Sequence, residues 1–186
     1  MSANFDGSYV GSHADTASTA MGMLAKLSER RTDRMIKRYF SDLPASLVKN
    51  SGLNNGFMIP QYTTAGLLGE IKILSHPSSV DSVSISANQE DPVSLAYFAS
   101  KNAYQVAKKL QYIIAIEPMA AVQGVDFLTP LQASSITKAV YEIIREKVHT
   151  VEDDRHFGPD IEHIFQLVRE KEIVKTIEDL MGPMRF

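Results

Sequence analysis

Apolar residues recur every three or four positions over most of the chain, which is the spacing of amphipathic α-helices. Strand-like alternation is confined to residues 83–86. The sequence therefore predicts an all-α fold, divided into residues 1–128 and a C-terminal helical pair over residues 129–186. A tight turn is predicted over residues 50–56, which are rich in Asn and Gly. The predicted helices cover residues 15–40, 61–74 and 92 to about 127, followed by one that begins at Thr129-Pro130 and one from Pro159 to Gly182.

The predicted helix that starts at Pro92 is unusually long. At 1.5 Å per residue it would span roughly 54 Å, whereas a compact domain of this chain length is only about 40 Å across. Between Tyr112 and Val122 its only charged residue is Glu117, and a helix that is apolar on most sides is normally buried all round. We therefore expect this helix to extend beyond its own domain and to be buried against other chains, with a kink near Pro118.

A Ser-rich segment, residues 76–91, precedes this helix and ends in two adjacent carboxylates, Glu90 and Asp91. Asp91 is predicted to cap the helix and Pro92 to lie in its first turn. The positive end of the helix would favour the ionised form of both carboxylates. Two interpretations are open at this point. The segment is either an acidic helix cap or a functional site to which irregular backbone delivers carboxylate and amide groups.

The composition of the chain narrows its functional class. The 186 residues are 44% hydrophobic and carry a net charge of -3, which supports a globular core and argues against a broad basic surface for nucleic acid. There is no cysteine, so disulfides and thiolate metal sites are excluded and a cytoplasmic location fits. The charged residues from Glu29 to Arg38 are typical of a solvated helix face with ion pairs. His149, Asp153 and His156 could in principle bind a metal, but polar loops often combine such residues, and no metal site is predicted.

Several motifs occur in a fixed order along most of the chain, which is far more specific than any single short pattern. Asn4-Phe5 and residues 27–31 lie upstream, and residues 145–148 and 154–162 lie downstream. The three central motifs are residues 54–61 (Asn-Asn-Gly-Phe-Met-Ile-Pro-Gln), 76–82 (His-Pro-Ser-Ser-Val-Asp-Ser) and 86–91 (Ser-Ala-Asn-Gln-Glu-Asp). Together they resemble the C-terminal part of the histidine ammonia-lyases, within the aromatic amino acid lyase family.

This resemblance implies a fold, a reaction and a cofactor. The family eliminates ammonia from aromatic amino acids with a methylidene-imidazolone electrophile (MIO) that forms from an internal Ala-Ser-Gly. Its fold is a long-helix bundle of the ammonia-lyase/aspartase-like type. The bundle assembles into tetramers whose active sites take residues from more than one subunit. The resemblance thus implies an oligomer whose substrate-pocket motifs lie in residues 1–128 of this chain.

The resemblance also assigns site residues. Glu90 matches the family's active-site glutamate, which implies a catalytic role in substrate binding and proton transfer. Phe5 matches the aromatic residue beside the electrophile, where it would bind substrate. Asn4, Asn88 and Gln89 are motif neighbours that the resemblance assigns to substrate binding. For the two asparagines, hydrogen bonding within loops is the alternative interpretation.

The chain departs from the family pattern in three respects. Asp6 and Pro92 stand where the histidine enzymes often have histidine, so histidine, tyrosine and phenylalanine are all candidate substrates. The chain contains no Ala-Ser-Gly and no counterpart of the family's N-terminal catalytic tyrosine. Met1 lies just before Asn4-Phe5, inside what is normally one continuous chain, which suggests a separate gene product.

The leading hypothesis is therefore the C-terminal portion of a split ammonia-lyase, whose N-terminal partner chain carries Ala-Ser-Gly. Without that electrophile, the Glu90 carboxylate has no means of acidifying an unactivated β C–H bond. The expected partners are this N-terminal chain, further copies in an oligomer and a small amino acid, without nucleic acid or membrane. A non-catalytic helical assembly or regulatory subunit, an aminomutase portion and a truncated relic are the alternatives.

Overall fold

The structure, a computed structural model, describes residues 5–184, and its regular elements are all helical. The predicted all-α class is confirmed. The strand candidate over residues 83–86 is instead a single β-bridge between Ile85 and Glu90. Among the described residues, no helix combines the length and the apolar character that crossing a membrane requires. The helices are α1 (Ser8–Ile36), α2 (Arg38–Ser41), a 3₁₀ turn (Ala45–Leu47), α3 (Met58–Leu74), α4 (Ala96–Asp126), α5 (Ser135–Arg145), α6 (Gly158–Arg169) and α7 (Glu172–Met181).

The chain forms two compact units. The first unit contains the described residues up to Lys26 together with Gly66–Leu110. The second unit contains Leu27–Ala65 and the described residues from Gln111 onward. Helices α1, α3 and α4 each contribute one part to each unit. The boundary predicted at residue 128 depends on the sequence alone and stays a prediction.

Helix α1 begins at Ser8, earlier than the predicted Asp15. The Asp6 carboxylate accepts hydrogen bonds from the backbone N–H and the hydroxyl of Ser8, at 2.7 and 2.8 Å. It thereby satisfies one of the backbone donors that the first helical turn leaves without a partner. The hydrophobic period does not reveal this start because the apolar residues of the first turn, Tyr9 and Val10, are adjacent and exposed and do not continue the spacing of the buried face. The helix ends at Ile36, and α2 follows as a single turn.

The charged second half of α1 is partly buried, contrary to the predicted solvated face. Glu29 is only 1% exposed. Its carboxylate accepts hydrogen bonds from Arg30 at 2.6 and 2.7 Å and from the side-chain amide of Gln61 in α3 at 3.1 Å. Glu117 of α4 pairs with Arg31 in the same unit. The predicted ion pairs are therefore present, and the buried Glu29 has a further partner on a neighbouring helix that helps to offset its desolvation.

Helix α4 begins at Ala96, so the prediction that Asp91 caps it and Pro92 lies in its first turn is wrong. Leu95 has a φ of 50°, in the left-handed region, and this conformation separates the preceding residues from the helix. The 31 residues of α4 give it a length of roughly 46 Å. The helix continues through Pro118 without interruption, and the kink expected there stays a prediction.

The second half of α4 is buried by this chain itself. Ala115, Met119 and Ala120 are at most 1% exposed and belong to the core of the second unit. The expectation that other chains bury this segment is therefore wrong, because segments of the same unit supply the cover. Exposed aromatic residues occur in the first half of α4 instead. The core residues that pack with the second half are Leu47, Phe57, Ile144, Val148, Val151, Phe157, Ile164 and Phe165.

The C-terminal helices differ from the prediction at two points. Helix α5 begins at Ser135 rather than at Thr129-Pro130, because the Ser134 hydroxyl accepts a backbone N–H of the first turn at 3.3 Å and caps the helix there. The predicted last helix is two helices, α6 and α7, separated at Lys171, whose φ is 61°. The predicted start at Pro159 is confirmed, since this proline lies in the first turn of α6.

The predicted tight turn over residues 50–56 is confirmed, and an acidic residue from the loop before α6 holds its end. The Asp154 carboxylate accepts the backbone N–H of Asn55 at 2.8 Å and that of Gly56 at 2.8 Å. Gly56 has a φ of 53°, and a Cβ atom there would lie 2.4 Å from the carbonyl oxygen of Ser46. Only glycine fits this position without displacing backbone.

The contribution of Asp154 to stability is expected to depend on pH. Hydrogen bonds from the backbone N–H groups of Asn55 and Gly56 lower the pKa of the Asp154 carboxyl below its ordinary 3.8. A carboxyl with a lowered pKa stabilises the fold above its unfolded-state pKa, and this contribution is lost as the pH falls through the folded-state value. We expect Asp154→Asn to be less stable than the wild type at pH 7. The difference in urea midpoint should shrink at pH values below 3.8.

The control for this prediction is Glu152→Gln, which removes a neighbouring exposed carboxylate that makes no hydrogen bond within residues 5–184. This variant is expected to keep the wild-type free energy of unfolding at pH 7. A difference between Asp154→Asn and the wild type that stays constant from pH 7 into the acid range would contradict the linkage.

Candidate functional site

Phe5 and Glu90 are far apart in sequence but line one open depression on the first unit, with a volume of about 350 Å³. Phe5 is 90% exposed, and Glu90 is exposed as well. Gln89 lines the same depression. The structure therefore brings together three of the residues that the sequence assigned to the site. The other residues that line the depression are Asp6, Gly7, Asp91, Pro92, Val93 and Ser94.

The two asparagines assigned to the site are not placed in this depression. Asn4 lies outside the described residues, so its role stays a prediction. Asn88 does not line the depression, and its side-chain oxygen accepts a hydrogen bond from the Ser84 hydroxyl at 2.7 Å. This contact agrees with the alternative interpretation, hydrogen bonding within the loop. A substrate contact of Asn88 stays a prediction.

The loop that carries Glu90 has an unusual backbone conformation. Ser86, Ala87 and Asn88 have φ values of 53°, 53° and 68°, in the left-handed region that residues with a Cβ atom seldom adopt. The backbones of Ile85 and Glu90 exchange hydrogen bonds of 3.2 and 3.4 Å around these three residues. Such conformations persist only where surrounding contacts fix them, and they are common at functional sites. Glu90 therefore stands at the end of a closed, conformationally defined turn.

Carboxylates determine the charge of the depression. Asp6, Glu90 and Asp91 line it, and no Lys or Arg among the described residues does so. Hydrogen bonds from Ser8 lower the pKa of the Asp6 carboxyl below 3.8, so this group is ionised at neutral pH. A site of this charge favours a positively charged group such as the ammonium of an amino acid. The sequence pattern alone marks Asp6 as a departure from the family, and its position next to Phe5 is the feature that connects it with the site.

The depression contains general acid–base groups but no electrophile of its own. An exposed carboxylate such as that of Glu90 can accept or donate a proton. The sequence has no Ala-Ser-Gly from which the MIO group could form. In the part of the chain that the structure describes, no group of three or more His, Asp or Glu residues could hold a metal ion. The described part of the depression therefore supplies carboxylates and an aromatic ring.

A known protein family matches most of this chain. The family is described as aromatic amino acid lyase, and the match covers residues 1–146. The chain belongs to the aromatic amino acid lyase family. A curated relative, histidine ammonia-lyase from Symbiobacterium thermophilum, is 41% identical over 181 residues, which cover 97% of this chain. The resemblance seen in the sequence motifs is therefore confirmed.

The fold of this aromatic amino acid lyase family member also matches solved structures. Histidine ammonia-lyase from Trypanosoma cruzi matches with a TM-score of 0.92 at 39% identity, covering 96% of this chain and 35% of that one. Tyrosine aminomutase from Streptomyces globisporus matches with a TM-score of 0.90 at 31% identity, covering 96% and 34%. The predicted long-helix bundle of the ammonia-lyase type is confirmed. Because a lyase and an aminomutase share it, the fold alone does not separate the two reactions.

The chain corresponds to only part of these family members. It spans 36% of the length of the Symbiobacterium thermophilum relative and about the same share of both solved structures. The MIO-forming motif is absent from the sequence. The reaction, the substrate and the partners of the whole enzyme therefore belong to the proposal below.

Proposed function

We propose that this chain is the C-terminal portion of an aromatic amino acid ammonia-lyase, most like histidine ammonia-lyase, which eliminates ammonia from L-histidine to give urocanate. A separate N-terminal chain that contains Ala-Ser-Gly supplies the MIO electrophile. The observation that carries the proposal is that Phe5 and Glu90 line the same open depression. An aromatic ring and a carboxylate are thereby available at one surface to a reactive group from outside the chain.

The open depression leaves room for an MIO group supplied by another chain. Phe5 is almost fully exposed, so its ring is free to border the MIO group, and Glu90 is accessible from solvent in the same depression. When bound, the MIO group supplies the electron-withdrawing centre that activates the amino acid for loss of ammonia. These two residues would border it without having to move out of the core of this chain.

Glu90 is the residue of this chain that holds or moves a proton in the proposed reaction. Elimination of ammonia requires a proton to leave the β-carbon and the amino group to depart. Removal of water by a second chain would strengthen the attraction between the substrate ammonium and the carboxylates of Asp6, Glu90 and Asp91. Phe5 would place the aromatic side chain of the substrate within reach of Glu90.

Exposed apolar side chains on the first unit support the presence of partner chains. Tyr97, Phe98 and Tyr104 on α4 are all exposed. Large apolar side chains that cluster at a surface commonly mark protein interfaces. The partners proposed are the N-terminal lyase chain and further copies of this chain in an oligomer. Further exposed apolar residues of this unit are Tyr9, Val10, Met23, Leu24 and Ile73.

The proposal is tested by reconstitution. This chain is co-expressed with the N-terminal portion of the Symbiobacterium thermophilum relative, cut just before the region that matches this chain. We expect a stable complex that converts L-histidine to urocanate, measured by absorbance. Phenylalanine and tyrosine are offered in parallel and followed as cinnamate and coumarate. The matched control is the same N-terminal portion with the serine of Ala-Ser-Gly replaced by alanine, which should assemble without turnover.

The outcomes separate the alternatives. A complex that forms β-amino acids instead of urocanate, detected by chromatography, would identify an aminomutase portion. A complex that assembles without turnover would favour a helical assembly or regulatory subunit, provided that the N-terminal portion carries an intact Ala-Ser-Gly. The exposed apolar residues of the first unit would form the interface of such a subunit equally well. No complex with this N-terminal portion, or with that of a second family member, would contradict the proposal.

A further inference from the structure

We propose that Asp15 is a positioning residue, whose buried carboxylate fixes the loop that carries Glu90 to the helix that follows Phe5. This inference rests on the proposed function, because the loop is taken to be one wall of an active site. Asp15 lies on α1, outside the depression that contains Glu90. It therefore acts through the loop and not by contact with the reacting atoms.

The contact that supports this role joins α1 to the beginning of the loop. Asp15 is only 5% exposed, and its carboxylate accepts the backbone N–H of Ser79 at 2.8 Å. Burial would raise the pKa of the Asp15 carboxyl, but hydrogen bonds from Ser79 and Ser78, with the nearby His76, outweigh it and hold the pKa below 3.8. Hydrogen bonds to an ionised acceptor are roughly twice as strong as neutral ones, so the hydrogen bond from Ser79 to the Asp15 carboxylate is a strong one.

Two further contacts within the same unit close the loop that runs from Ser79 to Glu90. The Val93 N–H donates to the Ser82 hydroxyl at 2.8 Å, which joins the beginning and the end of the loop. The Ile85 and Glu90 backbones are hydrogen-bonded to each other inside that closed segment. A displacement of Ser79 would therefore be carried to Glu90 instead of being absorbed by a free loop.

The position of Phe5 explains how the hydrogen bond between Asp15 and Ser79 could affect function. Phe5 comes just before α1, and Asp15 lies on α1 a short distance along the chain. The tie from Asp15 to Ser79 therefore links the two parts of the chain that supply the aromatic ring and the carboxylate. A misplacement of about 1 Å at a catalytic group can lower turnover by a factor of about 10².

A second α1 contact provides a matched control. The Ser75 hydroxyl donates to the Ser18 carbonyl at 3.2 Å, so it also ties the residues after α3 to α1, but it does not involve Ser79. Ser75→Ala removes this bond and leaves the Asp15 contact in place. If any hydrogen bond to α1 were sufficient to position the Glu90 loop, the Ser75 and Asp15 variants would show the same amide exchange rates and the same kcat.

The first test measures amide hydrogen exchange in the whole chain and needs no activity. In Asp15→Ala we expect the Ser79 and Glu90 amides to exchange roughly ten- to a hundredfold faster, from loss of a charged hydrogen bond, while the α4 amides keep their wild-type rates. Asp15→Asn retains an acceptor oxygen, so its exchange rates at these two amides should lie between those of the wild type and Asp15→Ala. This variant replaces Asp15→Ala in the test if the alanine variant does not fold. Unchanged exchange at both amides, or faster exchange throughout α1 and α4, would overturn the positioning role.

The second test uses the complex with the N-terminal lyase chain. Asp15→Ala is expected to lower kcat on the order of 10²-fold with a much smaller change in KM, and Asp15→Asn to recover roughly half of that loss on a logarithmic scale. Ser75→Ala should keep the wild-type kcat. If the wild-type complex is inactive, the proposed function fails and the exchange result alone decides the role of Asp15. If the wild-type complex is active and Asp15→Ala keeps its kcat, the positioning role is overturned.

Discussion

Replacement of Glu90 by glutamine is expected to lower the kcat of the reconstituted lyase complex by about 10²- to 10⁴-fold, the range that loss of a general acid or base produces. Glutamine keeps the size and the hydrogen-bonding capacity of the side chain but does not take up a proton at neutral pH. We therefore expect KM to change much less than kcat, which marks an interaction made chiefly in the transition state. Urocanate absorbance at saturating histidine measures the effect.

The control is Asp91→Asn, which removes the neighbouring carboxylate of the same depression. Because Asp91 contributes charge and is not assigned a proton-transfer role, its loss should raise KM more than it lowers kcat. A Glu90→Gln complex that assembles normally and keeps the wild-type kcat would exclude Glu90 from the chemistry. That result would favour the helical assembly or regulatory alternative.

Replacement of Gly56 by alanine is expected to lower the free energy of unfolding of the chain by about 2–5 kcal/mol. Two effects add at this position. The φ of 53° is unfavourable for a residue with a Cβ atom, and that atom would lie 2.4 Å from the Ser46 carbonyl oxygen and 2.9 Å from the Val48 Cβ. Both contacts are with backbone or with atoms next to it, so relief requires the turn itself to shift. Urea unfolding followed by circular dichroism measures the loss.

Gly52→Ala in the same turn is the matched control. Gly52 also has a positive φ, at 100°, but a Cβ atom there would meet nothing within 4 Å. Its replacement should therefore cost only the backbone term, about 1–2 kcal/mol. Equal losses in the two variants would show that the close approach of Ser46 contributes nothing to the requirement for glycine at position 56.

Hydrophobic periodicity predicted the helices well but not all of their starts. Besides α1, which begins earlier than predicted, the starts predicted at Pro92 and at Thr129-Pro130 were wrong. In both cases the prediction used the preference of proline for a first turn. The structure shows that local contacts decide the start instead, with the hydroxyl of Ser134 as the cap of α5 and the left-handed Leu95 before α4. Such contacts involve side chains whose partners a one-dimensional pattern does not identify.

The sequence pattern also did not predict that charged residues are buried. Glu29 belongs to a run of charges that is typical of a solvated face, and its burial depends on Gln61, which reaches it from another helix. The second half of α4 was correctly predicted to be buried, but its cover comes from α5, α6, the 3₁₀ turn and the loops of the same unit and not from other chains. The apolar pattern shows that a face needs cover and does not show what covers it.

The site was predictable mainly through resemblance. The residues alone left Glu90 as either a helix cap or a functional group, and no local pattern connects it with Phe5. Ordered motifs across the chain supplied that connection, and the structure places both residues in one depression. Asp15 was not assigned any role, because an isolated acidic residue on a predicted helix gives no sign of the loop that it binds.

The open form of the depression around Glu90 limits what the chain can hold by itself. A carboxylate and an ammonium 4 Å apart attract each other by only about 1 kcal/mol in bulk water, and by about 4 kcal/mol near a protein surface. A single pair of this kind contributes no more than the low end of what a free amino acid loses in translational and rotational freedom on binding. Under the proposed function, measurable affinity for substrate is therefore expected on assembly, so that the concentration of subunits also limits the onset of catalysis.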